Sequence, residues 1–186
     1  RLRIEEAGTA QPPATSDQQG HAELADPNVT SDHGPLEAVM RRSFADLRLL
    51  QTRREHSFIA GGLPWFVAPF ARDSLIAALQ VLPYDPRAAA GVARQLAAHQ
   101  GRRCEPDTRE EPGKIPHELR VGEMARLKEV PHHPSYFSID ATPLFLVLVG
   151  RHVAWTGRLD LFEALKVNVE RALAWLDAYG DTDGDG

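Results

Sequence analysis

Along most of this chain, apolar residues recur with the period of a helix. Leu36, Met40, Leu47 and Leu50 fall at helical spacings, with Arg41, Arg42, Asp46 and Arg48 mostly between them. This pattern predicts an amphipathic helix from Pro35 to about Leu50. A second helix is predicted from about Asp73 to Val81, stopped near Pro83. A third begins after Pro86, a residue suited to a first helical turn, and runs through an alanine-rich stretch to Gly101. A fourth covers about Ala141 to Trp155. The fifth runs from an Asp160 cap through Leu161, Leu165, Val169, Leu173 and Leu176 and stops before Gly180. No segment alternates convincingly as a strand. The expected class is therefore all-α, and short amphipathic helices of this kind pack as bundles, solenoids or α/α toroids. Internal similarity is too weak to define a sequence repeat.

The segments between these helices divide the chain. Residues 1–34 are rich in Pro, Gly, Ser, Thr, Asp and Gln and read as a linker or lead-in; the helical domain then runs from 35 to 186. Residues 61–70, Gly-Gly-Leu-Pro-Trp-Phe-Val-Ala-Pro-Phe, form a loop of core-type residues, because Pro64 and Pro69 resist a helix interior. Such a loop lines a cleft or packs under something. Residues 102–138 are broken by Pro106, Pro112, Gly113, Pro116, Pro131 and Pro134, with room for one short helix between Leu119 and Leu127.

Composition narrows the classes. The chain has 186 residues, 42% of them hydrophobic, enough for a core of ordinary domain size. Its formal net charge is -5 and its basic residues form no stripe, so nucleic acid is not an expected partner. No apolar run approaches the roughly 20 residues that span a bilayer, and no membrane partner is expected. Cys104 is the single cysteine, which rules out an internal disulfide. The N-terminus, Arg1-Leu2-Arg3-Ile4, lacks the apolar core of a signal peptide, and a cytoplasmic location is the expectation. Both ends read as cuts in a longer chain.

Four segments carry candidate chemistry. In the first, Trp65, Phe66 and Phe70 precede Arg72-Asp73-Ser74. Aromatic faces stack on the apolar face of a pyranose, while a guanidinium fork and a carboxylate complement vicinal hydroxyls. An Asp at a helix start also sits at the positive dipole end, which favours a fixed acceptor over a proton donor. The same residues read equally as an Arg-Asp pair capping a helix, with Trp65 in the core. The second segment, Glu110 to Glu123, gathers acidic and basic groups around His117-Glu118, either as binding groups on a loop or as a solvated charged surface. The third, Tyr136-Phe137-Ser138-Ile139-Asp140, places Asp140 where it suits both an N-cap and a cleft. His117, His132 and His133 lack the spacing of a zinc site. In the fourth, Asp181, Asp183 and Asp185 with Gly186 match positions 1, 3, 5 and 6 of an EF-type calcium loop, or else form an acidic surface turn.

Taken together, the strings AGGLPWFVAPFARDSLIAALQ from Ala60, EEPGKIPHELRVGE from Glu110, YFSIDATPLF from Tyr136, AWTGRLDLF from Ala154 and ALAWLDAYGDTDGDG from Ala172 resemble bacterial amylo-α-1,6-glucosidase-like (glycogen-debranching-like) glycoside hydrolases. These are relatives of the family 15 glucoamylases and family 63 glycosidases. The resemblance covers roughly residues 35–186 and implies an (α/α)6 barrel, or toroid, of twelve helices, of which this chain would hold about the first five. It implies inverting hydrolysis of an α-glucosidic linkage, in which one carboxylic acid protonates the leaving oxygen and a second carboxylate activates water. Arg72 and Asp73 would grip sugar hydroxyls at the cleavage subsite, with Trp65 and Phe66 as wall and His117, Glu118 and Asp140 as further substrate-binding groups.

The family's acid lies after the Asp-rich turn and its base much later, so no catalytic residue is assigned here. No cofactor is expected beyond a structural calcium at the acidic turn, and the partners expected are a carbohydrate and the remainder of the barrel. Ala71, where the family usually has Gly, and Phe137-Ser138, where it tends to Tyr-Gly, are departures inside the pocket motifs, and Arg158 stands where the pattern often has Asp. Two rival readings remain. One is a non-catalytic carbohydrate-binding or structural module on the same toroid. The other is a toroid enzyme of another class, such as a lyase or epimerase, for which no His, Tyr or Lys is singled out.

Overall fold

The computed structural model describes residues 2–5, 24, 28–53, 57–120, 123, 127, 129 and 134–180. Among these, five main helices carry the fold: α1 (Gly34–Leu50), α2 (Ala71–Val81), α3 (Pro86–Ala98), α4 (Ala141–Thr156) and α5 (Asp160–Tyr179). Their starts follow local chemistry. The His33 ring accepts the Leu36 N–H at 3.2 Å ahead of α1, and Asp85 accepts the Arg87 N–H at 3.0 Å ahead of α3, in both cases beside a proline. The expected Asp160 cap is corrected. Leu159 holds the cap position without a side-chain bond, and Asp160 is the first helical residue, paired instead with Arg158 at 3.2 Å. The third helix ends at Ala98 rather than Gly101, because Gly101 turns to exchange backbone bonds with Lys114 and Gly113.

Strands are present where none was expected. β1 (Leu2–Glu5) pairs antiparallel with β2 (Asn28–Ser31), and β3 (Gln51–Arg53) with β4 (Ser57–Ile59). The region read as a lead-in is therefore partly built in, with Leu24 and Val29 buried. The short helix suggested for 119–127 falls largely outside the described residues.

The core forms around α3. Its alanine-rich sequence is buried from Ala88 to Ala90, at Val92 and Ala93 and from Gln95 to Ala97, so neighbours approach from several sides. It packs against α2, α4, α5 and β4. On α4 the buried stripe is Ala141, Thr142, Phe145, Leu148, Val149 and His152; on α2 it is Ala71, Ser74, Leu75, Ala78 and Val81. On α5 the stripe passes through Leu161, Leu165, Ala172 and Trp175, whereas Leu173, expected inside, is exposed.

Short connections fold α2 with α3 and α4 with α5 into antiparallel hairpins. Their geometry brings the starts of α2 and α4 and the ends of α3 and α5 to one end of the domain. There Arg72 meets Asp140, the Tyr136 hydroxyl donates to the His99 carbonyl at 2.8 Å, and the Trp175 indole N–H donates to Glu111 at 2.7 Å. Among the described residues, no helix is long and apolar enough to cross a membrane.

At the other end, His152 is buried on α4 and its Nδ1 has no hydrogen-bond partner among the described residues. Burial pushes its pKa below the ordinary value of 6.5; Asp160 and the Pro86 carbonyl oppose this, while Arg94 and Arg158 add to it. The unfolded chain therefore binds the proton more readily than the folded one. The stability His152 allows is complete above the unfolded value and is lost as pH falls from there toward the folded value. Urea midpoints at about pH 7.5 and about pH 5.5 should differ more in the native protein than in His152→Leu.

Candidate functional site

The common helix end is built by residues 61–73, 108–120 and 134–141. α2 begins without a side-chain cap, and its first N–H, from Ala71, donates to the His117 carbonyl at 2.9 Å. The Leu119 N–H donates to the Pro69 carbonyl at 3.0 Å. Antiparallel bridges join Phe70 to Glu118 and Glu118 to Ser135, so three distant stretches lie side by side. The Ile115 N–H is fixed to the Thr142 hydroxyl at the start of α4, at 3.0 Å. In this way the long irregular segment ties the starts of α2 and α4 together.

Arg72 does not pair with its neighbour Asp73. Its Nη1 donates to Asp140 Oδ2 at 3.0 Å, joining α2 to α4 across 68 sequence positions. Asp140 Oδ1 accepts from the Ser138 hydroxyl at 2.8 Å, and Ser138 Oγ accepts the Ala141 N–H at 3.2 Å. Ser138 is thus the side-chain cap of α4, which corrects the capping role read for Asp140. Burial pushes the Asp140 carboxyl up, but the hydrogen bonds from Ser138 and Arg72, with the Arg72 charge, outweigh it and hold its pKa below the ordinary value.

Asp73, in the first turn of α2, is exposed and takes no hydrogen bond or ion pair from the described residues. A Cβ at Gly61 would lie 3.5 Å from Phe66 Cβ and 3.7 Å from Asp73 Cγ, so the aromatic loop and this carboxylate pack about one glycine. Beside them Trp65 is 81% exposed and Phe66 more than half so; Phe137 and Ile139 are exposed next to Asp140. Trp65 is therefore not core. Phe66 meets Phe70 edge to face at 5.7 Å, and a cis peptide joins Leu63 to Pro64 within the loop.

His117 and Glu118 lie behind this surface. The His117 ring meets Phe70 edge-on at 6.2 Å, with Nδ1 buried and without a partner among the described residues. Glu118, only 3% exposed, accepts from Arg120 Nε at 3.0 Å, and the Arg120 guanidinium lies over the Phe70 ring at 5.7 Å. Glu118 therefore braces Arg120 and Phe70.

Ser138, Arg120 and Trp175 brace this surface, although the sequence alone assigns none of them a role. The signals were there: Ser two residues before Asp at a helix entry, Arg two residues after Glu on one side of an extended segment, and a Trp on the inner stripe of α5.

Among the described residues, no group of three or more His, Cys, Asp or Glu side chains is placed to hold a metal. The calcium turn at Asp181, Asp183 and Asp185 lies outside the described residues. No protein-family model matches this chain, and no curated protein matches it.

Proposed function

We propose that this chain forms the sugar-binding end of a glycoside hydrolase of the glycogen-debranching and glucoamylase-like type, acting on α-glucosidic linkages from an (α/α)6 barrel. The observation that carries the reading is the juxtaposition at the helix ends. Two exposed aromatic faces, Trp65 and Phe66, stand beside a carboxylate, Asp73, that is unpaired among the described residues, and an Arg72–Asp140 pair with its donors half exposed. A pyranose presents a flat apolar face and a rim of vicinal hydroxyls, and this surface offers partners for both. The Arg72 guanidinium offers only donors and Asp140 is held as a paired carboxylate, so both bind rather than transfer protons. The remaining helices of the barrel are the proposed structural partner, and calcium at the acidic turn rests on residue pattern alone.

Calorimetric titration of the intact protein with neutral gluco-oligosaccharides, α-1,4 and α-1,6 linked, tests this. Binding is expected, and Trp65→Ala should weaken it about tenfold, the loss of one stacking face worth roughly 1–2 kcal/mol. No binding to any of these sugars would overturn the reading. The non-catalytic module shares the same surface, and binding without release of glucose would favour it instead.

A further inference from the structure

We infer that Ser138 is a positioning residue of the candidate sugar site: held at the start of α4, it fixes the Asp140 carboxylate, which in turn orients Arg72. The inference rests on the sugar-binding reading and adds a residue that reading does not use.

A serine hydroxyl has one proton to give and lone pairs to accept with. In Ser138 both capacities are engaged. The proton goes to Asp140 Oδ1 at 2.8 Å, and a lone pair takes the Ala141 N–H at 3.2 Å. The residue is only 7% exposed, so solvent has little access to its hydroxyl. Rotation of the hydroxyl would break one bond or the other, and the side chain is therefore tied to the backbone of α4. Asp140, bound through one oxygen, has its second oxygen facing Arg72 Nη1 at 3.0 Å.

The ion pair alone would not define this arrangement. The Arg72 and Asp140 side chains are 53% and 35% exposed, and pairs at such exposure hold long side chains weakly. What distinguishes this pair is that one partner is anchored to a helix start. The consequence reaches the third member of the site. With Arg72 drawn to Asp140, the Asp73 carboxylate beside it takes no bond from the described residues and stays available to a hydroxyl.

The test uses Ser138→Ala and Ser138→Thr in the intact protein, with two readouts. In the first, the Asp140 carboxyl carbon is followed by NMR through a pH titration. Loss of the Ser138 bond should move its midpoint upward in Ser138→Ala, while Ser138→Thr, which keeps a hydroxyl, should restore it. In the second, affinity for a neutral gluco-oligosaccharide should fall about three- to tenfold in Ser138→Ala and recover in Ser138→Thr. A residue that only caps α4 would lower the melting temperature on conversion to alanine and move neither readout; that result overturns the inference. If Ser138→Ala does not fold, the threonine variant decides, and a midpoint there above the native one overturns it equally. If the native protein binds no neutral sugar, the sugar-binding reading fails while the carboxyl titration still reports on Ser138.

Discussion

Gly113→Ala should lower the stability of this protein by about 3 to 5 kcal/mol and its melting temperature by roughly 10 °C. Two effects combine. Gly113 has φ +92°, a backbone conformation that L side chains rarely adopt, and a Cβ there would run into the Arg171 carbonyl of α5 and lie 3.1 Å from Trp175 Cβ. The carbonyl cannot move without breaking helix bonds, so the strain has no cheap outlet. Around this glycine the irregular segment is pinned to the helix ends. The Gly113 N–H donates to Gly101, the buried Gln100 amide donates to the Gly113 carbonyl at 2.8 Å, and Lys114 pairs with Glu111 at 3.1 Å beneath the Trp175 ring. Gly157→Ala provides the control. It has φ +67° with nothing within 4 Å of the added carbon, so only the backbone term of about 1 kcal/mol applies. Urea unfolding of both variants checks the difference, and similar losses would show that the close approach to Arg171 does not matter.

The helices were legible because burial writes itself on sequence with a fixed period. Ala141, Phe145, Leu148, Val149 and His152 lie on one side of α4 whatever packs there. The strands were not legible for an equally physical reason. Three or four residues give at most two alternations, too few to stand out, and β1 pairs with a segment more than twenty residues away. On α5 the expected stripe holds through Leu161, Leu165 and Val169, and beyond them the buried positions, Ala172 and Trp175, fall one residue ahead of Leu173 and Leu176. Leu173 fits the stripe by spacing, yet Trp175 is 2% exposed because its indole N–H finds the Glu111 carboxylate. At the site, residue types were recoverable and partners were not. Arg72 beside Asp73 invites a local pair, but a partner on another helix competes for the same fork, and nothing local encodes its place. Likewise Asp140 and Ser138 are both good capping residues, and Ser138 takes the cap while Asp140 turns to Arg72.

In the complete barrel that carries the acid and base, Asp73→Ala should lower the rate of glycoside hydrolysis by about thirty- to a thousandfold, a loss of roughly 2 to 4 kcal/mol of transition-state stabilisation. Asp73 is the carboxylate of the site with no described partner to satisfy it, and it shares the Gly61 contact with Phe66. A sugar hydroxyl bound there would give a charge-assisted hydrogen bond. If that bond tightens as the ring distorts toward the transition state, its removal appears in kcat as well as KM. Stability should change little, since the exposed side chain supports no cap and no ion pair among the described residues. Because proton transfer is assigned to neither Asp73 nor Arg72, the acidic and basic limbs of the pH–rate profile should stay near their native positions. Loss of one limb, or rescue by an added small carboxylate, would show that Asp73 moves a proton. Unchanged kcat and KM, with no change in melting temperature, would leave Asp73 without a role in the site and return the sugar contact to Arg72, Asp140 and the aromatic wall.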